Sequence, residues 1–250
     1  MFVDTHCHIY SEYYDDIDNI LDISKDNNIK YYINNGSAAN SNKEVLKLIE
    51  KYPNMYGAIG IHPESVLDYT KEDLDFIEKN LSNPKVVAIG EIGLDYHYGK
   101  ENKEEQIKLL ECQLELAEKY NLPVIIHSRD ATQDTIDILK KYNVRGTIHS
   151  FSGSLEVANI YIKMGYLLGI NGVVTFKNSN LKDTLKQIDV HNIVLETDSP
   201  YLTPEPFRGK QNNPSHIMDI AKFVKDIYGI SLEELSNITN DNIKNMYKIE

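Results

Sequence analysis

The stretch "VDTHCHIY", residues 3–10, sets His6 and His8 one residue apart, with Asp4 upstream and Cys7 between them. Alternate side chains of an extended strand share a face, so both imidazoles point one way and Cys7 the other. Two imidazoles on one face can grip a metal ion. Four further groups have the same character: Glu91 in "VVAIGEIG", His127 in "VIIHSR", His149 in "GTIHSF" and Asp198 in "IVLETDSP", each at the tip of an apolar run. A carboxylate in that setting is costly to bury unless it is paired or metal-bound. Any one of the six could be a salt bridge or a capped loop, whereas six at equivalent positions point to shared chemistry. Four histidines and two carboxylates exceed what one tetrahedral ion with an open position needs, and suit two divalent ions sharing a carboxylate. Glu91 is the candidate bridge. His6, His8 and Asp198 would complete one centre, with His127 and His149 on the other. Mixed nitrogen and oxygen donors accept magnesium, manganese or zinc without choosing among them. No lysine ends the fourth run, so a carboxylated-lysine bridge is not expected.

The elements that must position these groups follow from periodicity. Candidate strands cover 1–8, 30–36, 55–63, 85–93, 123–129, 145–151, 166–172 and 192–200, separated by amphipathic stretches. Unbroken apolar runs such as Val86 to Ile89 and Val124 to Ile126 suit parallel strands buried on both faces. The clearest helix spans Lys103 to Tyr120, where Ile107, Leu110, Leu114 and Ala117 recur at helical spacing before Asn121-Leu122-Pro123 stops it. Near the end, Pro214 stands near a helix start, Gly229 at its stop, and Ser231 with Glu234 is spaced as a capping box. Strand and helix alternating eight times predict an α/β fold, a (β/α)8 TIM barrel in one domain over 1–250 with an extra C-terminal helix. A doubly wound open sheet is the alternative. Barrel active sites sit at the C-terminal strand ends, where all six groups fall.

Composition narrows the function classes. With 41% hydrophobic and 26% charged residues the chain should fold into a globular protein, and a formal charge of −12 disfavours a general electrostatic grip on nucleic acid or anionic membrane. A phosphate substrate must then be held by a local device, such as a metal. Cys7 and Cys112 are the only cysteines and form no CxxC pair, so free thiols in a reducing cytosol are expected. No export signal or membrane-length apolar run is apparent, and a cytoplasmic location without an obligate protein partner is the expectation.

Six blocks carry a family likeness: "VDTHCH", "GIHP" at 60–63, "IGEIGLDY" at 89–96, "PVIIHSRDA" at 123–131, "HSFSG" at 149–153 and "LETDSPYLTPEPFRGKQNNP" at 195–214. In order and spacing, over the whole chain, they resemble the TatD family of metal-dependent DNases within the metal-dependent hydrolase superfamily. The resemblance implies a TIM barrel, divalent-metal phosphodiester hydrolysis and DNA as substrate. Ser150 stands where the family often has Cys, a departure that touches no candidate ligand. Carried over by match, the metal ligands are His6, His8, Glu91, His127, His149 and Asp198, with Glu91 and Asp198 also catalytic. His62 becomes a phosphate-contacting or supporting group, and Arg129 and Arg208 could fork onto phosphate. Asp95 and Tyr96 are expected to shape their loop, and His97, His191 and His216 stay outside the site. Given the acidic charge, an exonuclease taking short or single-stranded DNA ends is expected. The rivals are an amidohydrolase or esterase acting on a small molecule or aminoacyl-tRNA, and a metal-binding scaffold without turnover.

Overall fold

In the structure, a computed structural model that describes residues 1–249, the eight strands are β1 Phe2–Cys7, β2 Ile29–Asn35, β3 Met55–Ile59, β4 Val86–Asp95, β5 Val124–Arg129, β6 Gly146–Ile148, β7 Tyr166–Ile170 and β8 Ile193–Leu195. They hydrogen-bond in chain order in one parallel sheet, and a parallel bridge from Cys7 to Ser199 links β1 to the chain leaving β8. Helices α1 Ile17–Asp26, α2 Ala39–Lys51, α3 Lys71–Asn80, α4 Lys103–Tyr120, α5 Thr132–Leu139, α6 Leu155–Lys163 and α7 Leu181–Leu185 alternate with the strands, and α8 Ile217–Tyr228 and α9 Leu232–Tyr247 follow β8. This is the (β/α)8 barrel, with α9 as the extra C-terminal helix.

The local rules act where expected. All of β4 is buried, as an apolar run covered on both faces requires. α4 has the bounds its spacing predicts, and Asn121 takes the left-handed conformation at φ 51° to end it. Ser231 accepts from the Glu234 backbone N–H at 3.1 Å, capping α9, and Gly229 ends α8 at φ 67°. Pro214 opens a 3-10 turn, Pro214–His216, and α8 begins one turn later than the sequence suggested.

The strand ends differ from expectation in a way that matters for the site. β3, β6 and β8 stop at Ile59, Ile148 and Leu195, so His62, His149 and Asp198 stand on the loops just beyond. β4 instead runs four residues past Glu91, because Gly93, Leu94 and Asp95 stay in register with His127, Ser128 and Arg129 of β5. Gly93 permits that approach: at φ 152°, a Cβ there would fall 1.9 Å from the His127 carbonyl oxygen.

Contacts divide the chain into two compact units, 1–34 with 150–250, and 35–149. The first buries Ile9, Tyr161, Tyr166, Leu168 and Ile217, and the second Ile49, Met55, Ile59, Ile77, Ile89 and Leu114.

Candidate metal centre

In the unit formed by 1–34 and 150–250, β1 stops at Cys7, so His8 lies one residue past the strand expected to include it, yet His6 and His8 still turn their Nε2 atoms toward each other. Their Nε2 atoms are 3.1 Å apart and lie 3.6 and 3.5 Å from Asp198 Oδ1. Cys7 faces the opposite way, with its sulfur 3.5 Å from the Ile33 carbonyl oxygen, and burial pushes its thiol well up. Two imidazole nitrogens and a carboxylate oxygen thus crowd one point. A single proton can bridge only one such pair, whereas one cation satisfies all three lone pairs. Asp198 holds its position at φ 56°, a region that costs a non-glycine residue roughly 1–2 kcal/mol. Its backbone N–H donates to the His6 carbonyl at 2.9 Å, and its carbonyl accepts from Tyr201 N–H at 2.8 Å. Beneath it, buried Asp4 accepts from the Thr197 N–H at 2.9 Å and from the His6 N–H at 3.3 Å. Burial raises the Asp4 carboxyl to about 8, against the pull of those hydrogen bonds. On the outer side His8 Nδ1 lies 3.2 Å from the Tyr10 hydroxyl.

In the unit 35–149 the centre is Glu91. Its Oε1 lies 3.0 Å from His127 Nδ1, 3.5 Å from His62 Nε2 and 3.8 Å from His149 Nε2. The other nitrogen of His127, Nε2, is 3.0 Å from the buried Asp95 carboxylate. Burial opposes charge on this ring, but hydrogen bonds to Asp95 and Glu91 outweigh it and lift His127 to about 9. Asp95 is lowered: burial pushes it up, and the bonds from His127 and the His97 N–H more than compensate. His62 Nδ1 accepts from the Glu64 backbone N–H at 3.2 Å, so Nε2 carries the ring proton toward Glu91. That makes His62 a hydrogen-bond donor at the rim of the cluster.

Three amide side chains fix these groups by pairing with backbone as a neighbouring strand would. Asn42 takes the Gly60 N–H at 3.1 Å and gives to its carbonyl at 2.8 Å, and Gln113 does the same for Ile61 at 2.7 and 3.1 Å. Gln106 closes on Asp95 at 2.9 and 2.8 Å. In the other unit Asn34 clamps Ile9 at 2.7 and 3.0 Å.

Residues 3–248 match the family described as TatD related DNase. The chain belongs to this family. Among its relatives is an uncharacterized metal-dependent hydrolase of Bacillus subtilis, YabD, 40% identical over 254 residues that span all of both chains. Another is the uncharacterized metal-dependent hydrolase YcfH of Escherichia coli, 32% identical with 99% of this chain and 96% of the relative covered. Among solved structures, the TatD homologue YjjV of Escherichia coli superposes with a TM-score of 0.95 at 29% identity, covering 100% of this chain and 98% of that one. The chain is therefore a TatD-family metal-dependent hydrolase. No helix among its described residues is long and apolar enough to cross a membrane.

The structure keeps Arg129, Arg208, His97, His191 and His216 apart from the clusters. Arg129 is exposed, its guanidinium 5.7 Å from the Tyr98 ring centroid, and Arg208 is exposed and lies 3.9 Å from the Phe176 ring centroid. His191 sits before β8 beside Asp189, His97 meets Asp130 at 3.1 Å, and His216 meets Asp219 at 3.0 Å. Asp95, read from sequence as a loop-shaping residue, is bonded to His127. Glu196, which no sequence motif singles out, is buried and accepts from the Ser150 N–H at 2.7 Å. Period-two spacing carried a signal for both acids of this kind: Asp4 lies two residues before His6, and Glu196 two before Asp198.

Proposed function

We propose that this TatD-family hydrolase is a divalent-metal-dependent deoxyribonuclease that cleaves phosphodiester bonds at free or single-stranded DNA ends. The observation that carries the reading is the pair of nitrogen-and-oxygen donor sets, around Asp198 and around Glu91, buried but for a partly exposed His127. Their donor chemistry fits zinc, manganese or magnesium, and bound divalent ions would supply Lewis-acid polarisation of a phosphoryl group and a more acidic water. His6, His8 and Asp198 would hold one ion, and Glu91, His127 and His149 the other. Asp198, as ligand or proton acceptor, would help position the attacking water. Asp95 orients His127, and His62 would turn its Nε2 proton from Glu91 to a bound phosphoryl oxygen. Arg129 and Arg208 are cations for flanking phosphates, which an overall charge of −12 otherwise repels. That repulsion disfavours long duplex and favours a single end entering the site.

End-labelled oligonucleotides, incubated with protein stripped by chelator and then resupplied with magnesium, manganese or zinc, test the proposal. Metal-restored cleavage of linear DNA, with closed circular DNA spared, is expected. Cleavage that survives thorough chelation, or turnover of a neutral amide with no oligonucleotide cut under any metal, would overturn it.

A further inference from the structure

Next to the Glu91 cluster, within the unit 35–149, opens a cavity of about 340 Å³ whose wall includes Glu64, Leu67, Asp95, Tyr98, Gly99 and Glu101. That volume lies at the small end of ligand pockets. Two of its lining side chains are large, apolar and turned to solvent: Leu67 is 74% exposed and Tyr98 80%. Folding gains little from leaving them there, and no helix or strand covers them. The cavity is tied to the cluster at two points. Asp95 lines it and bonds His127, and Glu64 lines it while its backbone N–H donates to His62.

The lining chemistry selects the occupant. No lysine or arginine lines the cavity, while three carboxylates do, so a phosphate is repelled from it. Outside that lining, the Arg129 guanidinium lies 5.7 Å from the Tyr98 ring centroid. Glu64 Oε2 is 3.9 Å from His62, and its side chain is 57% exposed, leaving the carboxylate open to a donor from solvent or ligand. A planar ligand that is neutral, apolar on its faces and lined with N–H donors on its edge fits all of this. We infer that the cavity is a nucleobase subsite, in which the base flanking the cleaved bond stacks on Tyr98 against Leu67 and presents an exocyclic amine to Glu64 and Glu101. Arg129 would then sit over the ring at the phosphate side. Cytosine, adenine and guanine carry such donors, whereas the thymine O4 is an acceptor and would face carboxylate oxygens. This inference rests on the deoxyribonuclease reading above and adds a base preference to it.

Two measurements separate its failure from failure of that reading. The first needs no turnover: 2-aminopurine deoxyriboside, a fluorescent base with an amine, is titrated into the full chain, which has no tryptophan to obscure it. Saturable quenching is expected, with Tyr98→Ala at least about fivefold weaker and Tyr98→Phe close to the parent, as base–aromatic stacking predicts. Equal affinity of the parent and Tyr98→Ala, or no saturable quenching, overturns the subsite even if DNA is cleaved. The second compares cleavage of oligonucleotides with cytosine, thymine or an abasic residue beside the scissile bond. The parent should prefer cytosine over both, Tyr98→Ala should lose the cytosine-over-abasic ratio, and a Glu64→Gln, Glu101→Gln double variant should lose the cytosine-over-thymine ratio. Ratios that stay at the parent values in these variants also overturn the subsite. Quenching without any cleavage by the parent leaves the subsite standing and sinks the nuclease reading.

Discussion

Around Asp198 the outer nitrogen of a histidine leans on a phenol, Tyr10 at 3.2 Å from His8 Nδ1; around Glu91 it leans on a carboxylate, Asp95 at 3.0 Å from His127 Nε2. The rims differ too. Near His8 the neighbours are aromatic, with Tyr10 at 5.7 Å and Tyr201 at 6.2 Å between ring centroids, while near His127 they are carboxylates and a second imidazole. A neutral phenol orients a ring without altering its charge, whereas a buried carboxylate both orients it and makes it a stronger base. The two donor sets are alike in element types and unlike in support. The Glu91 set depends on a charged neighbour outside itself, and the Asp198 set on backbone geometry held by Asp4 and Thr197.

The contrast can be broken most forcefully at the carboxylates themselves. Glu91→Ala should cost on the order of a thousandfold or more in kcat/KM, as removal of a group that stabilises developing charge costs several kcal/mol. His149→Ala should fall less and recover in part with excess metal. Elemental analysis of the same variants checks the cause, and whether Glu91→Ala loses one ion or two tells whether this carboxylate serves both. Full metal content in Glu91→Ala together with none in His149→Ala would refute the assignment.

A finer test concerns the supports. Asp95→Asn should weaken metal binding about 10–100-fold, the usual effect of losing a carboxylate behind a histidine ligand. Tyr10→Phe, which removes only the phenol hydroxyl, should weaken it less. Metal titration by calorimetry reads both, and a larger effect from Tyr10→Phe would reverse the comparison.

The amide clamps give a stability contrast. Gln113→Ala leaves the buried N–H and carbonyl of Ile61 without their partner, as Asn34→Ala does for Ile9. Each should cost about 1–3 kcal/mol in urea unfolding, the usual cost of orphaned buried groups. A neutral result at either position would show that solvent or a relaxed backbone replaces the clamp. The smallest effect belongs to the surface: Glu78→Gln removes the charge that pairs with Lys119, the contact that holds the Glu78 carboxyl below its usual range. Water screens such a pair, so no resolvable change in Tm is expected from calorimetry.

Much of this was legible in one dimension. Alternation along "THCH" is enough to put His6 and His8 on one side and Cys7 on the other, because a strand's side-chain period of two is a local property of the backbone. The eight strands and the bounds of α4 were legible for the same reason: apolar spacing, caps and breakers act over a few residues. So was the TatD likeness, since its six blocks are contiguous. What the chain alone left undecided was how each group is held and by what. Asp95 and His127 are 32 residues apart, Gln113 and Ile61 are 52 apart, and Asp4 and Thr197 are 193 apart. No periodicity links such pairs; they meet only because parallel pairing lays each strand beside the next and turns its end toward the following loop. The extension of β4 past Glu91, the removal of His62, His149 and Asp198 into loops, and the conversion of Asp95 from loop residue to histidine support all follow from that pairing. Residue type and local spacing decided which atoms could bind a metal; the tertiary structure decided which neighbours tune them, because the hydrogen bonds that do so join residues far apart in the chain.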